Sequence, residues 1–521
     1  MSKANFDNSE EERKSVANLE SVQIVPQDSV SELFEVDDTH LKRTLKSRHI
    51  GMIALVSVFG TGLFLSSGGT LAKTGPVAAL APLTGSTIRH SEIFIDEAVG
   101  FAYGYLSLWQ NLLPGGLVSA ALIIQYWSNL SPAVWISVLA VPIAITNLFS
   151  VRIYGEVEFV FALLKICLIA ILVLAGLVLD LGGVKGQERL GFHYWKDPGP
   201  FAEFVKTGNI GKFIGFWAAL SSVVYSYGGV QGIALLAGET QNPRTNIPRA
   251  AKRILYRVVS LYMVAVFVLS LIVPYNDKKI AVSDGTAAHS PYVVAFERGG
   301  IKVLPHVVNA LTLTSAWSEA NAGIASSARV LFSLAAKKQA PRRFFKTTKT
   351  LNVPFVGVAL ALLFLALSYM SVNSTAATVF SWFQNITSSN LLVGWILISI
   401  CHIRMNRALK AQGYKRSDLP YHNRLAPAGA WISLIASIIL LLTGGFTTFI
   451  HGNWQTSTFV SAYCSPMLFV LFCLAYKIIK RTPLIDLKDI IIPALMGDYK
   501  TRPENDIPPR GIYKFLSLLW S

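Results

Sequence analysis

The chain has 521 residues, 52% hydrophobic and 15% charged, with a mean hydropathy of +0.47 and a formal net charge of +16. Its apolar residues come in long blocks rather than amphipathic stripes, which excludes a soluble globular domain and marks an all-α polytopic membrane protein. A basic surplus in such a chain sets loop topology and implies no nucleic-acid partner.

Residues 1–40 read as an acidic, disordered cytosolic tail. Up to Asp38 they hold ten acids against Lys3, Arg13 and Lys14, with no apolar core that would make a cleaved signal. A span needs about 20 mostly apolar residues. Such blocks fall near 49–72, 98–127, 132–150, 157–182, 211–237, 254–274, 301–335, 354–372, 376–401, 426–450 and 457–478, which makes about eleven.

The first block, HIGMIALVSVFGTGLFLSSGGTLA, carries Gly60-Thr61-Gly62 near its middle, where glycine frees the backbone from the helix. The stretch that follows, TGPVAALAPLTGSTIRH (Thr74–His90), is too short and too proline-rich to cross. In the block at 157–182, Lys165 lies nine residues after Glu156, roughly 13 Å along a helix and too deep to snorkel easily. An ionisable residue at that depth is a functional candidate. The alternative is a lysine permanently paired with a carboxylate.

The block at 211–237 is interrupted like the first, by Gly228-Gly229 and Gly232 in VVYSYGGVQGIALLAGE. Two glycine-broken spans, each opening a comparable multi-span unit, point to a transporter site built from inverted repeats. Free N–H groups of a half-helix would hold a carboxylate and unwound carbonyls an ammonium, which suits a zwitterion. The competing reading is close helix packing through small residues.

Glu319 sits mid-block among Ser315, Ser318, Ala322 and Ser326, and Asn321 is placed to hydrogen-bond across helices. Such a carboxylate needs a proton or a partner, or faces water. Trp382, Phe383 and Asn385 would line a side-chain pocket or simply pack. Residues 485–521 read as a cytosolic C-terminal tail. No nucleophile–base set, phosphate loop or ligand cluster occurs, so neither an enzyme nor a metal or other cofactor is expected, and Cys167, Cys401, Cys464 and Cys473 show no paired spacing.

Lys and Arg near span ends mark the cytoplasmic side. They cluster at 42–48, 244–257, 337–349, 404–416 and 477–481. From the second cluster onward two blocks separate each pair, so all four share a side. Five blocks lie between the first and second, and an odd number puts those two on opposite sides. Either one crossing is missing or one block does not cross, and the Thr74–His90 stretch is the place to look for a lost one.

These segments together resemble the fungal amino-acid permeases of the amino acid, polyamine and organocation superfamily. The resemblance runs from about Leu41 to Leu484 and rests on LKRTLKSRHIGMIAL with GTGLF, VRIYGEVEFVFALLKI, GFHYWKDPGPF, AGETQNPRTNIPRAAKRI, SSARVLFSLAAKKQAPRRFFKTT and SWFQNITSSNLLVGWILISICHIRMNRALKAQG. It makes 41–484 a permease transmembrane domain. It implies a leucine-transporter-type inverted-repeat fold with twelve spans, of which the second is lacking here, between GPVAAL and PLTGS.

By the same resemblance the function is proton-coupled uptake of an amino acid through the lipid bilayer of the plasma membrane. Backbone N–H groups of Gly60, Thr61 and Gly62, beside Ser57, would meet the substrate carboxylate. Carbonyls around Ser226, Tyr227 and Gly228 would meet its ammonium, and Lys165 would exchange the coupling proton; Glu319, by its position alone, is a second protonation site, the counter-ion of Lys165 or a residue facing water. Gln231 and Pro114-Gly115-Gly116 stand where many members have acids, which favours a neutral or acidic substrate over a cationic one. The alternative is a receptor-like or inactive permease that does not transport, or an incompletely given chain.

Overall fold

A bilayer offers no water to bare backbone, so apolar blocks satisfy their own hydrogen bonds as helices. The computed structural model describes residues 87–149, 151–184, 186–226, 228, 260–277, 290–348, 353–416, 419, 425–490 and 492, and among these every regular element is helical. The short α1 (Thr87–Phe94) meets α2 (Glu97–Leu112) at a corner where the Asp96 carboxylate accepts from the Ala98 N–H at 3.0 Å. Helix thus begins inside the Thr74–His90 stretch that is too short to cross.

From α2 the chain breaks at Pro114, which has no N–H to give and leaves Leu113 extended, and resumes as α3 (Gly115–Ile124). Then come α4 (Pro132–Leu148), α5 (Val151–Asp180), α6 (Gly208–Ser226), α7 (Ser260–Ile272) and α8 (Pro291–Arg298). They are followed by α9 (Leu304–Ala336), α10 (Phe355–Phe364), α11 (Ala376–Ala411), α12 (Ala426–Thr443) and α13 (Thr456–Lys480).

Among the described residues six helices are long and apolar enough to cross a membrane: Glu97–Ile124, Ile153–Asp180, Phe355–Val372, Ala376–Ala411, Ala426–Thr443 and Thr456–Lys480. The protein is therefore an all-α polytopic membrane protein. Its outer helices are dressed for lipid, with Trp431, Ile432, Ile435 and Leu442 of α12 and Met467, Leu471 and Leu474 of α13 exposed. The 33-residue α9 is not among the six, because Ser315, Ser318, Glu319 and Asn321 dilute its middle.

Helix α9 is the centre of the bundle, packed on α2, α3, α4, α5, α8 and α10. At Gly116 of α3 the approach is so close that a Cβ would stand 2.7 Å from both the Ala316 carbonyl oxygen and the Ala320 nitrogen of α9.

The α1–α2 corner gathers one end of the bundle. Lys337, just past α9, lies 2.8 Å from Glu92 Oε2, and Lys477 near the end of α13 lies 2.7 Å from Asp96 Oδ2. Arg404 of α11 donates to the carbonyls of Phe94 and Ile485. The segment assigned by sequence to the C-terminal tail begins as a strap along this end. There the Ile485 N–H donates to the Ile95 carbonyl at 3.1 Å, Gln412 Nε2 donates to the carbonyls of Leu487, Lys488 and Ile490, and Ile490 is buried.

Candidate functional site

Three helices meet at a buried polar cluster. Glu158 and Lys165 stand on α5 seven residues apart, hence on one face, and both are fully buried. Each carboxylate oxygen of Glu158 accepts a bond from α9: Oε2 from Ser318 Oγ at 2.7 Å and Oε1 from Asn321 Nδ2 at 2.8 Å. Asn321 is itself pinned, because its Oδ1 accepts from Thr146 Oγ1 and Asn147 Nδ2 of α4, both at 2.7 Å. Every donor here is neutral, and the bonds run from α4 through α9 to end on Glu158.

Lys165 is acted on electrostatically by both Glu158 and Glu319. The second carboxylate is differently placed. Glu319 is half-buried and accepts at Oε1 from the Tyr225 hydroxyl of α6 at 2.8 Å. Tyr225 stands next to Ser226, the last residue of α6 and a buried one, and the Gly228 N–H closes a turn onto the Tyr225 carbonyl at 3.1 Å. Its ring meets that of Phe380 on α11 edge-on, with centroids 6.0 Å apart. Glu319 is thus tied to the point where α6 stops.

Of the residues singled out by sequence, the structure brings Lys165, Glu319, Ser226 and Gly228 into this neighbourhood, with α6 described to Ser226 and Gly228 in a turn. Ser57, Gly60, Thr61, Gly62, Tyr227 and Gln231 lie outside the described residues. Asn321 bonds across helices as expected. Ser318 of the small-residue face does more than pack, and Asn385 donates to Ser461 Oγ of α13 at 3.3 Å. Glu158 is not among the residues singled out by sequence; its signal there is the seven-residue spacing from Lys165.

Gly116 has no room for any side chain against the α9 backbone. With carboxylates, an ammonium and hydroxyls enclosed in apolar surroundings, the cluster is able to hold and exchange protons.

The sequence profile described as amino acid permease matches residues 78–488. The dicarboxylic amino acid permease of Saccharomyces cerevisiae is 35% identical over 490 residues, covering 87% of this chain and 80% of that one. The proline-specific permease of Emericella nidulans is 37% identical over 480 residues, with 86% and 87% covered. The lysine-specific permease of S. cerevisiae is 32% identical over 508 residues, with 92% and 82% covered.

Proposed function

The chain belongs to the amino acid permease family of fungal secondary active transporters, not to the enzymes, and on that premise we propose that it imports a neutral or acidic amino acid together with protons across the plasma membrane. The observation that carries the coupling is Lys165, wholly buried, with one carboxylate partner, Glu319, bonded to Tyr225 three residues before Gly228. A change at the break in α6 reaches Glu319 through one hydroxyl and Lys165 through one carboxylate. Lys165 exchanges the coupling proton and Glu319 is the second protonation site.

The substrate lies between the two glycine breaks, its carboxylate on the N–H groups of Gly60, Thr61 and Gly62 beside Ser57. Its ammonium meets carbonyls around Ser226, Tyr227 and Gly228, with Gln231 close by. The relatives' names divide among dicarboxylic, proline and lysine substrates, so they do not choose for this chain. The lack of room for an acid at Gly116 and the neutral Gln231 favour a neutral or acidic substrate.

We infer a leucine-transporter-type repeat without its second span, eleven crossings in place of twelve. Two observations support this. The α1–α2 corner lies at the end where Lys337, Arg404 and Lys477 gather, so α2 starts inside. The cluster at 42–48 is expected inside as well, and only one apolar block separates it from α2. The alignment with the dicarboxylic permease also runs over 490 positions while taking in 87% of a 521-residue chain, and this shortfall, roughly 30–40 positions, is the length of one span with its turn.

The missing span also favours a second reading, a receptor-like or inactive permease that binds without moving its ligand. Uptake of radiolabelled L-aspartate, L-proline and L-lysine by cells expressing the full chain separates the two. Accumulation against a gradient that collapses with a protonophore and is lost in Lys165→Met supports the symporter. Accumulation by Lys165→Met that stays proton-linked would falsify the coupling role, and binding without accumulation in the parent chain selects the second reading.

A further inference from the structure

Lys165 faces two carboxylates that are not equivalent. Glu158 lies on the same face of α5, about 10 Å earlier along the axis, on the side toward which helix side chains lean. Glu158 is held at both oxygens by Ser318 and Asn321, all three fully buried, and Asn321 is fixed in turn by Thr146 and Asn147. The direction of these bonds is decisive. With Oδ1 of Asn321 already accepting from α4, its amide N–H must point at Glu158, so Glu158 is presented with donors on both sides. An ionised carboxylate accepts at both oxygens, as both do here.

Glu319, by contrast, is half-buried and its bond comes from α6, next to the break. Among the described residues the charged groups acting on Lys165 are Glu158 on its own helix and Glu319 on α9. The groups of α9 bonded to Glu158, Ser318 and Asn321, are neutral, as are Thr146 and Asn147 of α4, which bond to Asn321.

We propose that Glu158 is a positioning residue for Lys165: a permanently ionised counter-charge, locked by Ser318 and Asn321, that keeps the buried ammonium in place while Glu319 gains and loses its hold. The inference rests on the coupling reading of Lys165 and adds a division of labour to it. An ammonium with one fixed and one conditional anion never faces the apolar interior alone, and losing the conditional anion makes it release its proton more easily. The fixed anion sets where on the pH scale that release occurs.

Two measurements on the full chain test this. The first is a double-mutant cycle on the melting temperature of the detergent-purified protein, with Glu158→Gln, Lys165→Met and the pair. The structure predicts non-additivity, the double variant melting above Glu158→Gln alone, because it no longer buries an unmatched charge. Additive effects overturn the pairing whether or not the protein transports.

The second is the external-pH profile of L-proline and L-aspartate uptake. Removing the fixed anion lowers the proton affinity of Lys165, so Glu158→Gln should move the half-maximal pH acidic by about one unit, and Ser318→Ala by less in the same direction. A Glu158→Gln profile that overlays the parent, in a chain where Lys165→Met abolishes accumulation, defeats this assignment and leaves the coupling reading intact. Should Glu158→Gln not fold, an unmoved Ser318→Ala profile defeats it equally. Proton-linked accumulation by Lys165→Met defeats the coupling reading, while the melting cycle still reports separately on the pair.

Discussion

Asp96 accepts from the Ala98 N–H with one carboxylate oxygen, at 3.0 Å, and from Lys477 with the other, at 2.7 Å, so a single buried side chain caps α2 and moors α13. Burial pushes its carboxyl up, but the bonds from Lys477 and Ala98 outweigh that and hold it below the ordinary value of 3.8. A depressed folded value contributes stability above the ordinary one and loses it as pH falls through the folded one. Asp96→Asn keeps the cap and drops the charge, so its melting temperature should fall short of the parent's at neutral pH and converge with it below pH 3.8. Asp96→Ala loses the cap as well, about 1 kcal/mol more.

Gly116 and Gly115 should behave oppositely. A Cβ at Gly116 meets backbone atoms of α9 at 2.7 Å, whereas at Gly115 the nearest atom is Phe383 Cβ at 3.8 Å. Gly116→Ala is expected to cost about 1–3 kcal/mol by overpacking, read as a lower melting temperature, and Gly115→Ala should cost little. Equal behaviour of the two would contradict the close crossing of α3 and α9.

Tyr225→Phe removes the hydroxyl that Glu319 accepts from and keeps the ring against Phe380. A hydrogen bond to a charged group contributes about 1.5–3 kcal/mol, so uptake should fall about tenfold or more with surface expression unchanged. Uptake within twofold of the parent would show that Glu319 does not depend on α6.

Gln412 holds the strap through one amide nitrogen shared among three carbonyls. Gln412→Ala should leave melting within about 1 kcal/mol of the parent and open the chain near 485–490 to limited proteolysis. A digestion pattern like the parent's would mean that the burial of Ile490 suffices to hold it.

The spans were legible because the bilayer imposes length and apolarity, but the blocks mark the hydrocarbon slab rather than the helix. The apolar run of α11 ends at Cys401, yet the helix continues to Ala411, since His402, Arg404 and Arg407 are compatible with helix and need only leave the lipid. Pro114 was readable as a break within the block at 98–127, from its missing N–H. Lys165 and Glu319 announced themselves by their cost in an apolar block. Glu158 did not, because it stands near Glu156 at the start of the block, where an acid costs little. What distinguishes it is Ser318 and Asn321 on a helix some 160 residues later in the chain, a proximity that no local pattern encodes.

The corner at α1–α2 holds α9, α11 and α13 by three separate attachments, at Glu92, at the Phe94 carbonyl and at Asp96. Such redundancy hides itself from single substitutions. Removing Lys337 or Lys477 alone leaves the other two ties in place, so each point variant reports only its own share of the corner. The importance of the corner emerges only in combinations, as a collapse out of proportion to its parts.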